Sequence, residues 1–367
     1  MFAHAAALAQ SAMLEPVLIA VDWGTTSFRA WLLGSEGAVM GEITSAHDGS
    51  RRVSDGCTTP QARAAAFDAA LTRLCGQWLA AHPGLPVIAS GMVGSNHGWV
   101  TAPYLDVPTS TAALAQHLTR APSSAADVWI VPGVRATSPL DDVMRGEETQ
   151  IAGIIASATN PPDLIVLPGT HSKWAWLDGD TITGFSTTMT GEAYALLANQ
   201  SILSQLAGEP VTGESVVSES EPAAGPQASD AFNRGLDTDR DYGAAYGLTS
   251  LIFTARTAVM AGRLAPSEVR DYLSGLLIGH EIRHALGRTR DAHTIALCGA
   301  PALTQRYRIA LEGYGVTVQL FDDTATIAGL AQVAETAGLI PSPTDGQLPV
   351  APSTSPSLSS SRMEFSR

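Results

Sequence analysis

One short segment of this sequence occurs twice, once in each half of the chain. Residues 24–32 read GTTSFRAWL and residues 169–177 read GTHSKWAWL, with Gly, Thr, Ser, Ala, Trp and Leu at matching positions. Each copy follows an apolar run, Val17–Val21 or Leu164–Leu167, which is typical of a buried strand. Because internal similarity indicates repeated structural units, the sequence predicts two related domains that each begin with strand, Gly-Thr turn, strand.

The rest of the chain alternates strands with helices, which predicts an α/β fold. Residues 62–82 have a helical apolar face, and the polar residues 208–229 are expected to form a long surface loop. The end of the chain is rich in Pro and Ser and cannot bury a core. The expected parts are a flexible extension at 1–15, an N-terminal lobe at 16–140, a C-terminal lobe at 141–339 and a disordered tail at 340–367.

The charge balance argues against polyanionic partners. The chain has 21 Lys and Arg against 35 Asp and Glu, which gives a formal net charge of −14. Such a surface repels phosphate backbones and anionic lipids, so we expect no nucleic-acid or membrane partner. An anionic ligand must then be held by local groups, because the overall field of the protein works against it.

The cysteines and the start of the chain indicate a cytoplasmic protein. Cys57, Cys75 and Cys298 form no CxxC pair, which excludes a zinc ribbon and a disulfide framework. No apolar run approaches the roughly 18 residues of a membrane span. The Ala-rich start lacks the basic region of a signal peptide, so we interpret it as an extension.

Asp22 and the turn Gly24-Thr25-Thr26 directly follow the first buried strand. A glycine permits close approach of the backbone to a ligand, and adjacent amides and hydroxyls can surround phosphate oxygens. A carboxylate at a strand end can hold Mg²⁺ through water. The alternative is a plain hairpin turn in which Asp22 bonds its own backbone. The second copy favours phosphate binding, because two facing hairpins can hold a triphosphate from both sides of a cleft.

The second turn, Gly169-Thr170-His171, is followed by Lys173. Lys173 could neutralise phosphate charge, and the alternative is a solvated lysine at the end of a strand. We expect His171 to form hydrogen bonds within the turn, since no other histidine stands at metal-ligand spacing around it.

Two further glycine-containing loops are candidates for ligand binding. Gly299-Ala300-Pro301 is a strand-end turn before a helix, which suits a nucleotide base or an α-phosphate; the alternative is an ordinary turn. Residues 91–99 contain three glycines after a strand, which favours a ligand loop over a simple crossover.

Residues 144–150 form the densest polar cluster of an otherwise apolar chain. They precede a helix predicted at residues 149–156, so Glu147 and Glu148 lie near its N-terminus. Acidic residues there can simply complement the helix dipole. The functional alternative is a general base beside Arg145, which would bind an anionic substrate.

Together these motifs resemble the 2-dehydro-3-deoxygalactonokinase family of sugar-acid kinases, from about Leu18 to Ala337. The matching segments are DWGTTSFRAWL, SGMVGSNHGWVTAPYL, VMRGEETQIAG, LPGTHSKW, MTGE, SGLLIGHEI and LCGAPALTQRY. The resemblance implies an α/β fold of two related actin-like ATPase lobes, each ribonuclease H-like, around a nucleotide cleft. It also implies ATP-dependent phosphorylation of the terminal (C6) hydroxyl of 2-dehydro-3-deoxy-D-galactonate, with Mg²⁺.

The resemblance further implies roles for individual residues. The two Gly-Thr turns would bind the β- and γ-phosphates, residues 299–301 the adenosine, and Asp22 would organise Mg²⁺. The catalytic acid falls at Glu147, where many relatives have Asp, so Glu148 and Asp142 stay open as alternatives. The residues expected to bind the sugar acid are Arg29 or Arg145 at its carboxylate, and Gly94, Ser95, Asn96, Trp99 and Tyr104 around the sugar.

The expected partners are a small sugar acid and MgATP, and the sequence leaves a homodimer open. Two other activities remain compatible with the residues. One is a kinase for an epimeric sugar acid of the gluconate type or another enzyme on the same fold, and the other is a non-catalytic actin-like sugar sensor.

Overall fold

The computed structural model describes residues 15–206, 229–288 and 294–341. The flexible extension, the 208–229 loop and the C-terminal tail expected from the sequence lie almost wholly outside these ranges. Within them, no helix combines the length and the apolar character that crossing a membrane requires.

Strands and helices alternate along the described chain, as the sequence pattern predicts. The strands are β1 Pro16–Trp23, β2 Phe28–Gly34, β3 Val39–Ser45, β4 Pro86–Ser90, β5 Tyr104–Asp106, β6 Thr109–Ser110, β7 Thr119–Ala121, β8 Asp127–Ile130, β9 Gly133–Ala136, β10 Asp142–Met144, β11 Leu164–Leu167, β12 Ser172–Asp178, β13 Thr181–Thr188, β14 Thr294–Cys298 and β15 Thr317–Phe321. The helices are α1 Ser50–Val53, α2 Pro60–Ala81, α3 Thr111–Gln116, α4 Glu147–Ser157, α5 Thr190–Gln200, α6 Asp230–Tyr246, α7 Leu248–Met260, α8 Val269–Leu286, α9 Pro301–Glu312 and α10 Thr324–Thr336.

The two main sheets have the same strand order. In the N-terminal sheet, the antiparallel meander β1–β2–β3 continues through parallel pairs from β1 to β4 and from β4 to β8. In the C-terminal sheet, β11–β12–β13 form the antiparallel meander, and β14 and β15 add in parallel beside β11. The predicted relation between the two halves is confirmed, and each Gly-Thr turn joins the first two strands of its sheet.

The largest hydrophobic cluster lies between the two sheets and belongs to both lobes. Helices α4 and α10 cross there, at Gly153 and Gly329. A β-carbon on Gly153 would overlap the Ala325 carbonyl oxygen, and one on Gly329 would overlap the carbonyl oxygen of Thr149. The two helix backbones are therefore in direct contact, which only glycine permits at these positions.

Two α/β lobes of repeated topology, as expected for the actin-like ATPase fold, pack on one shared hydrophobic cluster. One detail departs from the lobe boundary expected at residue 140. Strand β6, at Thr109–Ser110, pairs antiparallel with β13 at the edge of the C-terminal sheet. Along the chain, helices α5, α6 and α7 come after β13 and before α8. They form an additional helical layer on the C-terminal lobe.

Candidate active site

The first Gly-Thr turn has its carbonyl groups directed toward the protein. The carbonyl oxygens of Gly24 and Thr25 accept hydrogen bonds from the amides of Ser50 and Arg51 at 2.9 and 3.1 Å, where α1 begins. The side chains of Thr25 and Thr26 are exposed. Because the carbonyls of Gly24 and Thr25 are paired and the Gly24 amide donates to the Ser27 carbonyl at 3.0 Å, the groups left for a ligand are the amides and hydroxyls of Thr25 and Thr26, which suit a phosphate.

The second Gly-Thr turn is held in the same way by the start of α5. The Glu192 amide donates to the carbonyl oxygen of Thr170 at 3.0 Å, and Glu192 Oε2 lies 2.6 Å from His171 Nε2. Gly191 contacts the Gly169 carbonyl so closely that a β-carbon there would overlap it. In each lobe, therefore, amides at the N-terminus of a helix donate to carbonyl groups of the Gly-Thr turn.

The predicted adenosine motif lies beside the second turn. A β-carbon on Gly299 would lie 3.1 Å from the Pro168 carbonyl oxygen, so the end of β14 abuts the start of the turn. Pro301 begins α9, and Ala300 is its N-cap. The thiol of Cys298 donates to the Asp322 carbonyl oxygen at 3.4 Å, which joins this strand end to the segment before α10.

Arg29 links the two lobes at the floor of the cleft. It stands opposite Asp22 in the register of β1 and β2. Its Nη2 donates to Asp22 Oδ2 at 2.8 Å, and its Nη1 donates to Asp323 Oδ2 at 2.5 Å. Asp323 immediately precedes α10 of the C-terminal lobe. The Arg29 guanidinium is thus bound to two carboxylates, and its contact with the sugar carboxylate stays a prediction.

Gly91 brings the end of β1 and the start of α4 together. Its φ of 92° and the φ of 110° at Gly146 lie in a region that glycine adopts readily. A β-carbon on Gly91 would lie 2.9 Å from the Trp23 carbonyl oxygen and 3.4 Å from Asp22 Oδ1. A β-carbon on Gly146 would lie 3.3 Å from the Gly91 Cα. Asp22 and Gly146, the residue directly before Glu147, therefore both lie close to Gly91.

The two neighbouring acids of α4 have different surroundings. Glu147 is 29% exposed, and its Oε2 accepts a hydrogen bond from the Arg145 amide at 3.0 Å. Glu148 is 0% exposed, and its carboxylate accepts the Gly146 amide at 2.7 and 2.8 Å. Burial, with the nearby Glu147 carboxylate, raises the pKa of Glu148 to about 8. Glu147 is thus the acid of this pair that a substrate can reach.

Lys173 is buried beside these acids and bonded to the protein. Its ammonium donates to the Val143 carbonyl oxygen at 2.8 Å and to Thr187 Oγ1 at 2.7 Å. Glu147 Oε1 lies 4.0 Å from the ammonium. Asp142 accepts the amide and the hydroxyl of Thr187 at 2.6 and 2.7 Å. Lys173 is 6% exposed, so the alternative of a solvated lysine is wrong. Its positive charge lies beside the Glu147 carboxylate.

Arg145 connects the start of α4 to the predicted sugar loop. Its Nη2 donates to the Ala102 carbonyl oxygen at 2.9 Å, and its guanidinium lies 4.2 Å from the centre of the Tyr104 ring. Gly94 packs against Nη1, and a β-carbon on Gly94 would lie 2.8 Å from that nitrogen. Within the described ranges, Nη1 is buried and has no hydrogen-bond partner. This N–H is therefore the unpaired donor closest to the predicted sugar residues.

The other residues of the loop have mixed surroundings. Ser95 is buried, and Asn96 is exposed. Trp99 is 4% exposed, stacks on Phe67 with ring centres 6.0 Å apart, and donates from Nε1 to the Pro122 carbonyl oxygen at 3.0 Å. Trp99 thus belongs to the N-terminal hydrophobic core and supports the loop from below. A contact between Trp99 and the sugar stays a prediction.

Sequence reasoning missed two residues of this site, Thr187 and Asp323, and identified Gly91 only as part of a ligand loop. The predicted register of β1 and β2 could have indicated the Asp22–Arg29 pair, because cross-strand neighbours in a hairpin follow from the turn. Asp323 is 294 positions from Arg29, so no local pattern could have joined them.

The residues at the cleft suit a magnesium ion that is held mainly by phosphates. Within residues 15–206, 229–288 and 294–341, no three His, Cys, Asp or Glu side chains form a metal-binding group. Mg²⁺ in nucleotide sites needs only one or two carboxylates, because it keeps several waters and phosphate oxygens. Asp22 offers Oδ1 for this purpose, since both bonds from Arg29 go to Oδ2.

Comparisons with known proteins bear on the identity of this site. A family model described as 2-keto-3-deoxy-galactonokinase matches residues 22–333. A Rhizobium meliloti (strain 1021) protein, named a probable 2-dehydro-3-deoxygalactonokinase, is 38% identical over 318 residues, 86% of this chain and 95% of that protein. The Escherichia coli (strain K12) 2-dehydro-3-deoxygalactonokinase is 36% identical over 320 residues, 86% of this chain and 97% of that protein.

A solved structure agrees with these sequences. The crystal structure of a Sinorhizobium meliloti protein, provisionally named a 2-dehydro-3-deoxygalactonokinase, superposes with a TM-score of 0.74 at 35% identity. The match covers 87% of this chain and 98% of that one. With a family model that spans both lobes and relatives matched over nearly their full length, this chain belongs to the 2-keto-3-deoxy-galactonokinase family.

Proposed function

We propose that this protein is an ATP-dependent kinase that phosphorylates the terminal C6 hydroxyl of 2-dehydro-3-deoxy-D-galactonate to give the 6-phosphate. The observation that carries the proposal is the close approach of Gly91 to Asp22 and to Gly146, the residue directly before Glu147. A single carboxylate for a metal ion, a reachable acid and two phosphate-binding turns are the parts that phosphoryl transfer to an alcohol needs.

The nucleotide would lie across the cleft. The turns Gly24-Thr25-Thr26 and Gly169-Thr170-His171 present amides and hydroxyls to the β- and γ-phosphates, and residues 299–301 receive the adenosine. Mg²⁺, held by Asp22 and the phosphates, would neutralise charge that builds up on the transferred group. The negative surface of the protein gives no help here, so these local groups carry the binding.

Glu147 would act as the general base. Its carboxylate accepts the proton of the C6 hydroxyl while that oxygen attacks the γ-phosphorus in line and the bond to ADP breaks. Lys173, at 4.0 Å, places a positive charge beside the Glu147 carboxylate. Positioning and charge stabilisation then supply most of the rate enhancement.

The sugar acid would bind along the N-terminal side of the cleft. Arg145 has a buried N–H without a partner and holds Tyr104, so it suits the substrate carboxylate better than Arg29, which is already paired. Gly94, Ser95 and Asn96 would line the sugar. We place the protein in the cytoplasm, where ATP is available, and its association into a homodimer stays open.

A coupled assay of ADP release tests this function. The wild-type protein should turn over 2-dehydro-3-deoxy-D-galactonate with MgATP faster than its gluconate epimer. The Glu147→Gln variant should lose about 10²- to 10⁴-fold in kcat, the usual contribution of a general base, and still bind ATP in a titration.

Two variants serve as controls for the assignment of the base. Asp142→Asn and Glu148→Gln remove the other two candidate acids without removing Glu147. Turnover close to wild type in Glu147→Gln, with a large loss in either control, would transfer the base role to that residue. Faster turnover of the gluconate epimer would contradict the proposed substrate.

A further inference from the structure

A carboxylate that the proposed mechanism does not use is buried beneath the second Gly-Thr turn. Glu281, on α8, is 3% exposed. Trp174 Nε1 donates to its Oε1 at 2.5 Å, and the Tyr307 hydroxyl donates to its Oε2 at 2.8 Å. The side chains of Thr188 and Thr190 also lie close enough to lower the pKa of its carboxyl, which burial raises. Two donors from neighbouring elements therefore meet at one buried carboxyl group.

These hydrogen bonds have a direction that reaches the turn. The Tyr307 hydroxyl donates its single proton to Glu281, so it can accept from Ser172 Oγ, at 3.1 Å. The Ser172 oxygen is left to accept the Gly169 amide, at 3.4 Å. A chain of three donors thus runs from the first amide of the turn down to Glu281.

The start of α5 also lies beside this carboxyl group. The Thr190 side chain lowers the pKa of Glu281, and the next two residues of α5 hold the turn. Gly191 packs on the Gly169 carbonyl, and the Glu192 amide bonds to the Thr170 carbonyl. Glu281 is therefore joined to the first amide of the turn by hydrogen bonds and lies close to the helix that occupies its carbonyls.

The consequence is an asymmetric turn. The Gly169 amide faces the interior, whereas Thr170 and His171 are exposed, with His171 Nε2 bonded to Glu192. A buried carboxyl group is costly compared with apolar residues of similar size, even when it is hydrogen-bonded. An orienting role, which an apolar side chain could not fill, explains its presence.

We propose that Glu281 is a positioning residue for the nucleotide, which orients the second Gly-Thr turn through Tyr307 and Ser172 without touching a substrate. The inference rests on the proposed function, because it assigns that turn to the phosphates of ATP. It predicts that breaking the chain weakens ATP binding and leaves sugar-acid binding unchanged.

The sharpest test removes one hydroxyl from the middle of the chain. Tyr307→Phe keeps the buried ring and breaks the link between Glu281 and Ser172. Loss of one hydrogen bond is worth a factor of about 2 to 12, so KM for ATP should rise by that factor. KM for the sugar acid should stay at the wild-type value. Glu281→Gln, which replaces an acceptor with an N–H that faces other donors, should raise KM for ATP further.

Tyr272→Phe is the matched control. Tyr272 is also buried, and its hydroxyl bonds to Thr254 and Thr238 in the helical layer, with no connection to the turn in the described ranges. The Tyr272→Phe variant should lower the melting temperature about as much as Tyr307→Phe and leave KM for ATP unchanged. The proposal would be overturned if both variants changed KM for ATP equally. It would also be overturned if Tyr307→Phe raised KM for the sugar acid as well as for ATP.

Calorimetric titration with a non-hydrolysable ATP analogue separates this inference from the proposed function. If the wild-type protein binds the analogue but does not phosphorylate the sugar acid, the proposed substrate is wrong. The comparison of Tyr307→Phe with Tyr272→Phe still decides the role of Glu281, since it then depends on nucleotide affinity alone.

Discussion

At the scale of single residues, adjacent side chains of the same type differ because one faces the cleft and the other faces the core. Glu147 and Glu148 begin the same helix, yet only Glu147 is exposed to solvent and lies near a lysine. Glu148 has lost its hydration, and its pKa of about 8 follows from that loss. Near neutral pH Glu148 therefore holds a proton. It can accept the Gly146 amide at the start of α4 without adding a negative charge to the interior.

The raised pKa of Glu148 makes stability depend on pH. Its pKa is about 8 in the folded protein against 4.5 for an unperturbed glutamate, so the folded state binds more protons between these two values. Stability should therefore fall as pH rises from about 4.5 to 8, and the contribution should be constant outside that window. Glu148→Gln should flatten this part of a plot of melting temperature against pH. A variant whose slope matches wild type across this window would contradict the shift.

At the scale of elements, the lobes are joined by two helices whose backbones touch. Gly153 on α4 and Gly329 on α10 each face a carbonyl oxygen of the other helix. Glycine lowers helix propensity by roughly 1 kcal/mol, and the close packing of two helices compensates for that loss. The start of α4 carries Glu147, so this crossing also sets the position of the proposed base relative to the N-terminal lobe.

Gly153→Ala tests the crossing. Its added methyl group would overlap the Ala325 carbonyl oxygen, so we expect a destabilisation of about 1–3 kcal/mol or more from overpacking. Chemical denaturation measures this change. Gly76→Ala, within α2, is the control, because nothing lies within 4 Å of its added carbon. It should stabilise the protein by up to about 1 kcal/mol through helix propensity. An unchanged denaturation midpoint in Gly153→Ala would mean that the two helices can move apart with no loss of stability.

At the scale of the whole molecule, the two lobes share one core. The largest buried cluster takes Ala20 and Ile88 from the N-terminal sheet, Ile165 and Leu167 from the C-terminal sheet, and Ile154 from α4. Neither lobe can expose its half of this cluster without losing much of the apolar burial that stabilises it. The cleft with its two turns therefore lies above a floor that both lobes build together.

This shared core predicts that the two lobes unfold together. Scanning calorimetry should give a single transition whose calorimetric and van't Hoff enthalpies agree, although many two-lobed proteins unfold in steps. Leu71→Ala removes packing from a cluster that belongs to the N-terminal lobe alone and should cost about 2–5 kcal/mol. It should shift the whole peak to lower temperature. A variant in which only part of the peak moves would show that the lobes unfold independently.

The apolar pattern of the sequence and its repeated turn were enough to predict an α/β chain and the relation between the two halves, because these depend on local order. The sequence also placed Glu147 near the start of a helix, since Gly146 and the polar cluster stand together in the chain. Only the packed structure shows that Glu148 is buried while Glu147 is partly exposed, that Arg29 bridges Asp22 to Asp323, and that Glu281 is bonded to Tyr307 under the second turn. These outcomes depend on burial and on contacts between residues far apart in the chain, which become defined only when the two sheets pack against each other.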